Sequence, residues 1–169
     1  MKYWILTIFR LKEQMPKLCG RIDNQIERLA VNLTMDTHKL IKAILVLQDR
    51  KTRFINMHVL YNRMRAVLSP AEYALVMRYA QGKTLLEIAL ADGVAECTVS
   101  RRLRGAVEVC AAVANNLRFG CERFERDYRD VPLVYNTVKG FERCGGHKIE
   151  TPAFFKAGAG ASRFDGITV

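Results

Sequence analysis

Several chemistries are missing from this sequence. Histidine occurs only at positions 38, 58 and 147, and no HExxH, GxSxG or GxGxxG pattern is present. Gln81-Gly82-Lys83-Thr84 has the ending of a phosphate-binding loop, but the position that needs the first glycine is Met77. The acidic residues are scattered and form no evident pair, so no catalytic site is expected and the chain reads as a non-enzyme. His58 falls in a predicted helix and reads as a packing or surface residue rather than a base. The five cysteines (19, 97, 110, 121 and 144) include no CxxC pair. Cys144-x-x-His147 lacks the matched second pair that a structural zinc site requires. No metal or cofactor is expected.

Long apolar runs are absent too. Tyr3 to Phe9, YWILTIF, is apolar but far too short to span a bilayer. It also lacks the small-residue cleavage site of a secretory signal. These features and the odd cysteine count lead us to expect free thiols, a reducing cytoplasmic setting and no membrane partner. No internal repeat is visible.

What the chain has is positive charge and helical periodicity. Its 169 residues carry a net charge of +10, and half of them are hydrophobic, enough for a packed core. The excess is uneven: residues 1–68 hold 13 Lys/Arg against 5 Asp/Glu, whereas residues 69–114 hold 5 of each. A basic balance suggests a polyanionic partner.

Apolar residues Trp4, Ile8, Leu11, Met15, Leu18, Ile22, Ile26, Leu29 and Leu33 recur at steps of three and four, an amphipathic helical stripe. Pro16 and Gly20 interrupt it. A break is expected near residues 14–16, with Pro16 opening a fresh helix to about Leu33. A second stripe runs Leu40, Ile44, Leu47, Phe54, Met57, Tyr61, Met64 and Leu68, with Lys51 in the seam and Asp36 or Thr37 as cap. The two stripes are expected to form an antiparallel helical hairpin over residues 1–68, suited to homodimerisation or polymerase contact.

Next come two capping boxes. Ser69-Pro70-Ala71-Glu72 and Thr84-Leu85-Leu86-Glu87 each place a hydroxyl three residues before a glutamate. The first opens a helix through Tyr79, with Gly82 at its end. The second opens a short helix with Leu85, Ile88 and Ala89 inward. Gly93 supplies a left-handed turn. A third helix starts near Ala95 and carries Val99, Leu103, Ala106 and Cys110 inward. Two short helices joined by a tight glycine turn read as a helix-turn-helix over residues 69–115. The outward residues of the second are Glu96, Cys97, Ser100, Arg101 and Arg104, with Arg102 at the flank. Forked arginine donors match guanine edges or phosphates.

Residues 116–169 are expected to give one helical stretch, Arg118 to Val131, with Phe119, Phe124 and Tyr128 as packing residues and Pro132 as its limit. From Gly140 onward the glycine-rich segment reads as an irregular tail. The fold class is therefore all-α.

MRYAQGKTLLEIALADGVAECTVSRRLRGAVEVC resembles region four of bacterial sigma factors, the helix-turn-helix that reads the promoter −35 element. The shared frame is Arg78-Tyr79, Gly82, Glu87-Ile88-Ala89, Gly93-Val94, Thr98-Val99, Arg102-Leu103 and Ala106. The match spans roughly a quarter of the chain. A helical hairpin ahead of such a domain is similar to small phage and prophage proteins described as late-gene transcription regulators. The resemblance implies that Thr98, Ser100, Arg101 and Arg104 face double-stranded DNA. It places Arg102 on the backbone, and Glu96 and Cys97 near base edges. It also implies RNA polymerase as a partner. Two departures stand out: Ala95 occupies a position that is serine or threonine in many relatives, and sigma region two has no counterpart. A regulator using the region-four fold is therefore expected rather than a complete sigma factor. The other reading is a small terminase-like packaging or architectural protein, which also joins a helix-turn-helix to an oligomerising hairpin.

Overall fold

The computed structural model describes residues 2–31 and 35–144, and these form eight helices and no strand. They are α1 Tyr3–Leu11, α2 Gln14–Ala30, α3 Thr37–Val67, α4 Pro70–Ala80, α5 Leu85–Asp92, α6 Glu96–Asn116, α7 Cys121–Tyr128 and α8 Pro132–Cys144. None of them is long and apolar enough to cross a membrane.

The first break falls at Lys12 and Glu13, slightly ahead of its expected place. Pro16 is the third residue of α2 rather than its first. A proline is tolerated there because the first turn's N–H groups have no helical partner. α2 packs chiefly on α3. Lys51, the charged residue in the apolar seam, is matched by an ion pair 2.6 Å long to Asp23. Asp36 caps α3, its Oδ1 accepting from the backbone N–H groups of His38 and Lys39. His58 is partly buried on α3, its ring 6.0 Å from that of Tyr61.

α1 departs from the expectation that it would form the first half of the hairpin. Trp4, Ile5, Leu6, Ile8, Phe9 and Leu11 are all buried. The helix packs on α4 and α8, with further contacts to α3 and α6. The reason lies in its composition. Ile5, Leu6 and Phe9 fall off the stripe through Trp4, Ile8 and Leu11, so the helix is apolar on every side, and such a helix is buried. Its one buried hydroxyl, on Thr7, donates to the Tyr3 carbonyl at 3.0 Å. At its end Lys12 Nζ donates to the Tyr73 hydroxyl at 3.0 Å, and Tyr73 in turn pairs with the Tyr61 hydroxyl at 3.0 Å. This chain ties α1 to α4 and α3.

The C-terminal expectation is also corrected. The preceding helix, α7, already stops at Tyr128, and Pro132 begins another, α8, which runs through the segment read as the start of a tail. Val134, Thr137 and Phe141 are buried along it, at helical spacing. The glycine at 140 hid that period. Arg118, with φ of 53°, reverses the chain between α6 and α7. Tyr128 on α7 is buried and its hydroxyl donates to the Arg53 carbonyl at 2.5 Å, joining α7 to α3. The proposed tail beyond Cys144, with His147, Phe154 and Phe155, lies outside the described residues.

Candidate nucleic-acid interface

The segment from α4 to α6 is built by local chemistry. Ser69 and Glu72 form a complete capping box at the start of α4, and Thr84 and Glu87 form another at α5. The Ser69 hydroxyl and N–H both donate to Glu72 Oε2, at 2.7 and 2.9 Å. These bonds hold the Glu72 carboxyl below the usual carboxylate range. Gly93 closes α5 with φ of 64°. That left-handed position lets α6 leave at once in a new direction.

A clamp fixes the turn. Arg78 on α4 grips Asp92 at the end of α5 through two parallel bonds, each 2.7 Å. Its hydrogen bonds pull the Asp92 carboxyl below its ordinary range. Arg78 and Asp92 are 14 positions apart, and no periodic or motif signal links them in sequence.

α6 is 21 residues long and does two jobs. One side carries Val99, Leu103, Ala106, Val107, Cys110, Ala111 and Ala114 into the core, against α3, α4 and α5. The Cys110 thiol is pushed up to about 12 by burial and serves as a packing group, not a nucleophile. The other side of its first turns leaves Glu96, Cys97, Arg101, Arg102 and Arg104 exposed, with Thr98 and Ser100 half-buried. Among the described residues Arg101 and Arg104 form no ion pair. Arg102 lies within electrostatic reach of Asp92, at the edge of the clamp. All seven expected interface residues therefore sit in the first turns of one helix, interleaved with the core residues Val99 and Leu103.

The start of α6 is bare. Ala95 has the extended backbone of a cap, with φ −68° and ψ 143°, but no side-chain bond to offer. An Ala95→Ser variant is expected to gain about 1 kcal/mol of stability by capping a free N–H of the first turn. Urea denaturation followed by helical circular dichroism measures it.

An open groove of 910 Å³ lies at the far end of α6, lined among others by Trp4, Asn115, Cys121, Glu125, Tyr135 and Lys139. Partial burial and Glu125 raise the Cys121 thiol above its usual range, the opposite of nucleophile activation.

Comparison with protein families, with curated proteins and with solved structures finds no match.

Proposed function

We propose that the chain is a sequence-specific DNA-binding regulator of transcription. In this reading α5 and α6 form a helix-turn-helix of the sigma region-four type, and α6 enters the major groove. The observation that carries it is the two-sidedness of α6: Val99, Leu103 and Ala106 pin the helix down, and Arg101 and Arg104 stand opposite without acidic partners among the described residues. The stretch from Glu96 to Arg104 is about 13 Å long, close to the roughly 12 Å width of the major groove. Arg101 and Arg104 read base edges, with Thr98 and Ser100 beside them. Arg102 braces a phosphate, and Glu96 and Cys97 meet the groove at the helix start. The protein then acts in the cytoplasm with host RNA polymerase, in the manner of small phage and prophage regulators.

Selection of bound sequences from a random duplex pool tests the reading. An enriched motif is expected, with affinity that falls steeply as salt rises. Binding without enrichment would reduce the role of α6 to phosphate contact. No binding at low salt would turn the same face into a protein-contact surface.

A further inference from the structure

One side of α3 changes character along its length. Met64, Leu60, Met57 and Arg53 follow one another at steps of three and four, so they share a row of the helix. The first three are buried, and Arg53 is half-buried, its guanidinium donating to the Asp127 carbonyl at the end of α7. The same row continues toward the start of the helix through Arg50, Val46, Lys42 and Lys39. There it has left the core, since residues 37–53 bury only Leu47. Lys39, Lys42 and Val46 are exposed and Arg50 is half-buried.

The fold does not neutralise these cations. α3 carries seven Lys/Arg and a single acidic residue, Asp49. Lys51 is matched by Asp23, and Arg53 by Asp49 and Asp130. Lys39, Lys42 and Arg50 form no ion pair among the described residues. Their positions do not favour the helix either. Lys39 sits in the first turn, where the helix dipole disfavours a cation, and no acidic residue shares that turn. Lys42 follows at three positions, a like-charge neighbour.

We propose that Lys39, Lys42 and Arg50 form a second contact surface, whose partner is the phosphate backbone of duplex DNA. Charge complementarity supplies the argument. The three cations lie on one row over about 16 Å. One strand of a duplex presents a phosphate about every 3.4 Å of its axis, or roughly five over that length. The surface holds the duplex without reading its sequence. The inference takes its partner from the proposed DNA binding, but it does not require α6 to read bases.

The test is a Lys39→Gln, Lys42→Gln, Arg50→Gln variant of the full chain, titrated with selected and random duplex over a range of salt. Three lost phosphate contacts lower the slope of log affinity against log salt by about 2.7. Between 50 and 200 mM salt, wild type is therefore expected to lose roughly 40-fold more affinity than the variant, on both duplexes alike. The urea midpoint is expected to hold, because no core residue is changed. A control removes as many exposed charges from α2, by Lys17→Gln, Arg21→Gln and Arg28→Gln, and is expected to keep the wild-type slope. An equal fall in the control overturns the proposal, because net charge then explains the effect. A wild-type slope in the α3 variant overturns it too, and leaves the reading of α6 standing if a motif is still enriched. A reduced slope without any enriched motif supports the α3 surface and removes the α6 reading. Vesicles of phosphatidylcholine and phosphatidylserine are the last arm: a variant that loses vesicle binding but keeps duplex binding overturns the choice of partner.

Discussion

An Arg101→Ala, Arg104→Ala double variant is expected to lose roughly 2–6 kcal/mol of binding to its selected duplex, since a forked contact to a base edge contributes about 1–3 kcal/mol. On random duplex the loss is expected to be far smaller, on the order of tenfold or less, because only phosphate attraction is removed. Titration of both duplexes at one fixed salt concentration measures the difference. Both side chains are exposed and unpaired among the described residues, so the fold is expected to be untouched. Lysine at the same two positions separates charge from geometry. It keeps the charge but loses the planar fork, so affinity for random duplex is expected to persist while the preference for the selected one falls. Equal losses on both duplexes would move the two arginines from the base edges to the phosphates.

That experiment targets the segment most legible in the sequence. α4, α5 and the start of α6 are marked by signals that act within a few residues. Ser69 and Thr84 meet glutamates three positions on, and Gly93 sits where the backbone turns left-handed. Val99, Leu103 and Ala106 are spaced by the helix itself. Each signal is satisfied by its neighbours, so it survives without knowledge of the rest of the fold. The Arg78–Asp92 clamp has no such signal, because it links two helices whose relative placement is a tertiary matter.

α1 and α8 were harder to read for the same reason. A stripe search rewards one face, and α1 is apolar on all of them. Selecting Trp4, Ile8 and Leu11 discards Ile5, Leu6 and Phe9, the residues that show the helix to be surrounded. On α8 the glycine at 140 suggested a loose segment, and only the packing partner reveals Phe141 as a core residue. α3 combines both cases. Its inward stripe was legible because it continues the period of a hairpin, while Ile41, Leu45, Ile55 and Val59 on the opposite side have no covering partner among the described residues.

α8 also gives the largest expected effect on stability. Phe141 is 2% exposed. Its ring stacks with Tyr3 of α1 and Tyr79 of α4, both at 6.4 Å between centroids, and the Arg10 guanidinium lies 5.6 Å from its centroid. It therefore joins three helices that are far apart in sequence. Phe141→Ala is expected to cost about 3–5 kcal/mol through lost burial and the cavity left behind. The total for a domain of this size is roughly 5–15 kcal/mol, so the variant stands near the limit of folding. Phe141→Leu, which keeps most of the volume, is expected to cost less than half as much. Urea midpoints for the pair measure both. A loss under about 1 kcal/mol for the alanine variant would mean that α8 is dispensable to the core. Phe141 is outside the α6 face, so any fraction of the variant that folds is expected to bind DNA with unchanged affinity. Stability and the proposed recognition are then separable: α8 supports α1, α1 packs on α4 and α6, and the outward residues of the first turns of α6 lie outside these contacts.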